Sequence, residues 1–149
     1  MDIQYRASNR TPEEMQFIAE IDSRIPLEFD PHFVWSESHV QKRLGDYKLL
    51  KNTDFFEVAV LNGEVIGFHI IKENDYLNHT MGNVVTLWVA AAHRRKGVAR
   101  TLKEHGQEWG KKRKVKFIQT AVHFNNKAML EMNEQMGFED TYHLFRKYL

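Results

Sequence analysis

The sequence predicts an α/β fold, with an antiparallel front half followed by one helical crossover. Three observations carry that reading. Two β-rich runs flank Asn62-Gly63 in "FFEVAVLNGEVIGFHIIK", a strong type I′ hairpin signal. Apolar residues recur at helical spacing after "TPEE" near the start. Two further strand-like runs, "NVVTLWVA" and "VKFIQTAV", are separated by a helix-like stretch, which makes them a parallel pair.

Taken in order, Ile3 to Ala7 alternates as a short first strand. Thr11 is an N-cap, Pro12 takes the first helical position and Glu14 is placed to close a capping box. Met15, Ile18 and Ile21 carry that helix to about Ser23. "RIPLEFDPHFVW" holds two of the three prolines and reads as an irregular loop, and "SESHVQKRL" as a short helix ending at Gly45. After the hairpin, "NVVTLWVA" has five β-branched or aromatic residues in eight. Val98, Leu102, Gly106 and Trp109 lie on one side of a helix from about Gly97 to Lys112, and "VKFIQTAV" is the next strand. Asn125 and Asn126 cap a helix with Ala128, Met129, Met132 and Met136 inside, Gly137 stops it, and "DTYHLFRKYL" closes as a last strand.

The chain of 149 residues reads as one continuous domain over 1–149, without linker, repeat or low-complexity segment. A chain of that length buries roughly 70% of its unfolded surface. Its 21 basic and 20 acidic side chains leave a net charge of +1, without the basic excess of a dedicated nucleic-acid binder. With no cysteine, disulfides, thiolate metal sites and a cysteine nucleophile are excluded. "MDIQYRASNR" has no apolar signal region and no run approaches 18 apolar residues, so a soluble cytoplasmic protein without a membrane partner is expected.

The stretch "HRRKGVAR" places three cations and a glycine where a strand becomes a helix. The first amides of a helix lack intrahelical partners and carry the positive end of its dipole, so such a turn suits an anion. Gly97 lets backbone approach a phosphate without a Cβ, and Ala99 keeps the next position small. A plain helix start with solvated arginines is the competing reading. Neither GxxxxGK[ST] nor GxGxxG occurs.

"LWVAAAHRRKGVARTL" resembles the signature of the GNAT superfamily of N-acetyltransferases, a strand ending in L-x-V and a loop leading to R-x-x-G-x-G/A. Arg94, Gly97 and Ala99 take its fixed positions, and Ala91 stands where proline is common. "NNKAMLEMNEQMGF" resembles the second signature through Asn126, Ala128, Gly137 and Phe138, with Met136 for leucine. The resemblance spans the chain. It implies a mixed, mostly antiparallel sheet of six to seven strands flanked by about four helices, with a splayed parallel pair forming a cleft for acetyl-CoA, the expected co-substrate. By position, Leu87, Trp88 and Val89 would line the acetyl and pantetheine arm. The amides of Arg94, Arg95, Lys96, Gly97, Val98, Ala99 and Arg100 would hold the pyrophosphate, and Asn126 would bond the pantetheine. An amine would attack the thioester directly, with a strand N–H stabilising the oxyanion.

Two positions depart from the family. Asn133 stands where a tyrosine acid is common, and an amide cannot release a proton at useful pH. Ala121 stands where some members place a glutamate base. His123, two residues beyond Ala121 on the same strand face, is a candidate base, and Tyr142 could supply a phenol. Glu28 and Asp30 could attract an ammonium acceptor. Packed or solvated side chains are the plain alternative for all four. "KKRKVK" sits at a helix C-terminus, where the dipole favours cations. His93 and His105 share no metal-ligand pattern, so no metal is expected.

The leading function is therefore an acetyl-CoA-dependent N-acetyltransferase acting on a primary amine of a small molecule or protein. The alternative is a non-catalytic acyl-CoA binder or sensor, with a nucleic-acid module third. A homodimer stays open, and specificity sits in loops such as "DSRIPLEFDPHFVWS", which have no readable code.

Overall fold

A computed structural model describes residues 2–149. The elements are β1 (Gln4–Ala7), α1 (Pro12–Asp22), α2 (Glu37–Lys48), β2 (Phe55–Leu61), β3 (Glu64–Tyr76), β4 (His79–Val89), α3 (Val98–Arg113), β5 (Ile118–Gln119) and α4 (Lys127–Gln135). Single 3₁₀ turns occur at Ile25–Glu28 and Ala91–His93. The strands form one sheet in the order β1-β2-β3-β4-β5, antiparallel except for the parallel β4–β5 pair. No helix among the described residues is long and apolar enough to cross a membrane.

Side-chain parity along the strands divides the core between the two faces of the sheet. Phe56, Val58, Phe68, Ile70 and Trp88 meet α1 and α2 on one face through Ile18, Ala19, Val40 and Tyr47. Ala59, Leu87 and Val89 meet α3 on the other through Val98 and Leu102. Gly106 makes that second contact close. A Cβ there would lie 2.7 Å from Ile71 Cδ1 and 3.3 Å from His69 Nε2.

The expected hairpin is present, with Asn62 at φ 51° and Gly63 at φ 80°, as a type I′ turn requires. The Thr11 hydroxyl caps α1 by accepting from the Glu14 N–H at 3.2 Å. Glu14 does not close the box on Thr11. Its carboxylate takes the Asn9 N–H at 3.1 Å, the Ser8 hydroxyl at 2.7 Å and the charged Arg6 guanidinium, while the Thr11 N–H donates to Asn9 Oδ1 at 3.1 Å.

Four other expectations are corrected. Helix α2 runs through Gly45 to Lys48, because continuing it buries Tyr47, which outweighs the roughly 1 kcal/mol cost of a helical glycine. Strands β3 and β4 extend to a turn at 77–78, past the polar Lys72–Tyr76 segment whose lack of alternation hid them. Ala128 is exposed, and the buried residue of α4 is Asn133. The last strand does not form, so the sheet has five strands instead of six or seven. "DTYHLFRKYL" has strand-like composition, but β5 is two residues long and offers it almost no edge to pair with. Tyr142, Leu144 and Phe145 are 86%, 81% and 89% exposed.

Candidate functional site

The parallel pair opens almost as soon as it forms. Its partners are only Gly82↔Ile118 and Asn83↔Gln119, while β4 continues to Val89 beside β3. Beyond Asn83 one edge of β4, from Val84 to Val89, therefore has no strand neighbour among the described residues. A bulge marks its start, because the β3–β4 register jumps between Ile70↔Thr86 and Ile71↔Val84 and leaves Val85 unpaired.

At the far end of β4 the chain winds into a nest of backbone donors. Arg94 is extended, Arg95 has φ 63° and Gly97 φ 82°, an alternation that turns successive N–H groups toward one side. The amides from Arg95 to Arg100 find no backbone acceptor among the described residues, and intrahelical bonding resumes with Thr101 N–H to the Gly97 carbonyl at 3.0 Å. A Cβ at Gly97 would meet nothing within 4 Å. Glycine is thus required there by its left-handed φ, and the space in front of the nest is open.

The cationic side chains around the nest are divided. Arg94 is committed: its Nε donates to the Val89 carbonyl at 2.8 Å and its guanidinium grips Glu28 at 2.9 and 3.0 Å. Glu28, placed by sequence as an ammonium attractor, is therefore paired with a residue placed on the phosphate. Arg95 and Lys96 are exposed, and Arg100 donates to Gln135 Oε1 at 3.0 Å, tying α3 to α4. Asp30 is also engaged, with Arg146 at 3.4 Å and the His32 N–H at 2.9 Å. A cleft of about 250 Å³ lies between Glu20, Ile21, Arg24, Ile25, Glu28 and Trp88, on the α1 side of β4. Glu20 and Arg24 pair across one helical turn at 2.7 Å, and Arg24 stacks over Trp35 at 3.9 Å.

The proposed acid–base residues scatter. His123 lies beyond the end of β5, so the strand-face argument for it fails. Its Nδ1 accepts the Asn125 N–H at 3.1 Å, which occupies the single lone pair that a neutral imidazole would use as a base. Tyr142 lies on the exposed C-terminal segment. Asn126 is the N-cap of α4, its Oδ1 accepting the Met129 N–H at 3.3 Å. Asn133 is 8% exposed and its Oδ1 has no partner, while its main-chain carbonyl accepts the Phe138 N–H at 2.9 Å.

Asp22, His69 and Lys103 are among the buried ionisable groups that escaped the sequence reading. Asp22, at the end of α1, accepts from the Tyr47 hydroxyl at 2.5 Å and lies 3.4 Å from Arg43 Nε. Burial pushes its carboxyl up, against the pull of Arg43 and Tyr47. His69, on β3, donates Nδ1–H to the Thr86 carbonyl at 2.9 Å beside the bulge. Burial lowers it to about 4, with Lys103 pushing the same way. Lys103, on α3, is 4% exposed and has no carboxylate partner among the described residues, its Nζ lying 4.4 Å from the Phe138 ring centroid. Burial lowers it to about 8. The signal for Lys103 was present, since it shares helical spacing with Ala99, Leu102 and Gly106, but a lysine on a helix reads as solvated.

The chain matches the Acetyltransferase (GNAT) family over residues 11–138. No curated protein matches it. Among solved structures it is similar to a putative acetyl transferase from Pyrococcus furiosus, at 20% identity and TM-score 0.80, covering 99% of this chain and 100% of that one. It is also similar to AAC(6')-Iy in complex with a CoA bisubstrate analog, at 18% identity and TM-score 0.70, covering 100% of both chains. A third similarity is to a structure of the NatC complex bound to Gag peptide and CoA, at 24% identity and TM-score 0.76, covering 100% of this chain and 92% of that one. At these identities the likeness is one of fold.

Proposed function

Because the chain belongs to the GNAT family of acetyltransferases, we propose that it moves an acetyl group from acetyl-CoA to a primary amine of a small molecule or protein by direct attack. The observation that carries this reading is the run of amides from Arg95 to Arg100 without backbone acceptors, set at the end of a strand with one edge unpaired. Amides left without backbone acceptors at a helix N-terminus fit an anion of pyrophosphate type, and the open space before Gly97 gives it room.

In this reading the Arg95–Arg100 amides bind the pyrophosphate, with Arg95, Lys96 and Arg100 adding screened charge. Arg94 braces the nest by holding Val89 and Glu28. Leu87, Trp88 and Val89 present backbone to the pantetheine arm, and Asn126 sets the start of α4 beside it. The unpaired edge of β4 supplies N–H donors where charge gathers on the thioester oxygen. The acceptor enters from the Trp88 side, through the cleft that Glu20 and Arg24 line.

Two measurements test this reading. Calorimetry with CoA should show binding to the native chain that a folded Gly97→Val variant loses, and acetyl-CoA should release thiol with some member of an amine panel. Unchanged CoA affinity in Gly97→Val would refute the nest. The second reading, a non-catalytic acyl-CoA binder, is favoured by Asn133 and Ala121 at the acid and base positions. CoA binding with no thiol release from any amine at any pH would establish it.

A further inference from the structure

Lys103 carries a largely buried ammonium with no carboxylate partner among the described residues, and its position gives it a use. It projects from α3 onto Phe138, just past the C-terminal end of α4. Its Nζ lies 4.4 Å from the Phe138 ring centroid, and the Phe138 amide bonds the Asn133 carbonyl at 2.9 Å. One turn along α3, a Cβ at Gly106 would lie 3.3 Å from His69 Nε2, and His69 is anchored to Thr86 at the β4 bulge. Lys103 thus lies against the end of the helix that carries the expected acid position, one turn from a residue whose histidine neighbour is anchored where the strands part. Asn133 Oδ1 on that helix is buried without a partner.

We propose that Lys103 is the proton donor to the departing CoA thiolate, in place of the phenol that position 133 lacks. This rests on the acetyl-transfer reading above. The acceptor nitrogen bonds to the acetyl carbon, the C–S bond breaks with its electron pair on sulfur, and the Lys103 ammonium gives sulfur a proton. The acceptor nitrogen sheds one proton to water and Lys103 takes one back, so the balance closes.

The surroundings suit that role. His69 faces Lys103 from β3 as a neutral ring, and the C-terminal end of α4 contributes Phe138 and Asn133, neither of them charged. On α3 itself the Arg100 guanidinium, one turn away, is held by Gln135. No carboxylate among the described residues pairs with Lys103, so the ammonium has no competing anion and burial lowers it to about 8. A thiol has a pKa of about 8.5, and an acid matched to its leaving group stays protonated at neutral pH yet gives up its proton readily.

The test uses the full chain with Lys103→Met and Lys103→Arg. Bound CoA thiol, followed by thiolate absorbance, should titrate about one unit lower in the native chain and in Lys103→Arg than in Lys103→Met. With an alkylamine acceptor, native kcat/KM should climb with pH and level off near 8, where loss of the Lys103 proton offsets the gain in neutral amine. Lys103→Met should keep climbing toward 10. At pH 7 its turnover should fall about ten- to a hundredfold, the low end for general acids because thiolate is a fair leaving group. CoA affinity should stay within about threefold. Lys103→Arg should restore the thiol shift but not the turnover, since arginine cannot give up its proton. A bend near pH 8 that survives in Lys103→Met overturns the proposal, as does a bound thiol with the same pKa in both proteins. Acetylation of Lys103 itself, read by intact mass after incubation with acetyl-CoA, also overturns it by making the residue an acceptor. A native chain that binds CoA but releases no thiol sinks the acetyl-transfer reading, while the thiol titration still decides the Lys103 contact.

Discussion

Replacing Lys103 by methionine should stabilise the protein, and the gain should depend on pH in a set way. The folded chain holds the lysine near 8 and the unfolded chain near the ordinary 10.5. At 1.36 kcal/mol per unit that gap is about 3 kcal/mol. Between pH 8 and 10.5 the unfolded chain keeps a proton that the folded chain has lost, so native stability rises with pH across that window. Below 8 both states are protonated and the full cost of the buried charge is present. Methionine has a similar stem and no charge. It forfeits the contact with the Phe138 ring, about 0.5–2 kcal/mol, so the net gain at pH 7 should be about 2 kcal/mol. Urea melts of both proteins at intervals from pH 6 to 10.5 read the difference, in which shared titrations cancel. The gap should be constant up to pH 8 and shrink by about 3 kcal/mol by pH 10.5. A gap that does not change with pH, or a methionine variant less stable than the native chain at pH 7, would refute the burial argument.

His69 sets the acid side: its folded value near 4 against 6.5 unfolded means stability falls as pH drops from 6.5 to 4, by about 3 kcal/mol, and acid melts of His69→Gln should lack that slope. Gly97→Ala places a side chain at φ 82° and should cost about 1–2 kcal/mol in a thermal melt, with CoA affinity in calorimetry falling about tenfold or more as the neighbouring amides turn away. Asn133→Ala removes a buried unpaired oxygen, so its melting temperature should hold or rise, and its turnover should stay within about tenfold of native. Truncation after Glu139 removes Tyr142 and an exposed segment, and should leave thiol release near native if that phenol has no role.

Local signals written in consecutive residues were legible in the sequence. Thr11-Pro12, Asn62-Gly63 and Asn126 act through their immediate neighbours, and each caps or turns the chain where expected. The nest was readable for the same reason: Arg95 to Arg100 is one continuous backbone path whose geometry follows from a glycine at a helix start. The parallel order of the "NVVTLWVA" and "VKFIQTAV" strands followed from the helix between them. Pairing partners over long separations were not legible. Glu28 and Arg94 lie 66 residues apart, and each was given a separate duty until the fold brought them together. The closing segment had the composition of a strand, but a strand needs an edge, and the two-residue β5 offers almost none. Lys103, His69 and Asp22 show the same divide most clearly. Residue type says that charge belongs in water, and only the packing of α3, α4 and α1 against the sheet takes it away. Sequence determines what a side chain can do, and the dielectric around it, which sets whether it holds its proton, is a property of the folded molecule.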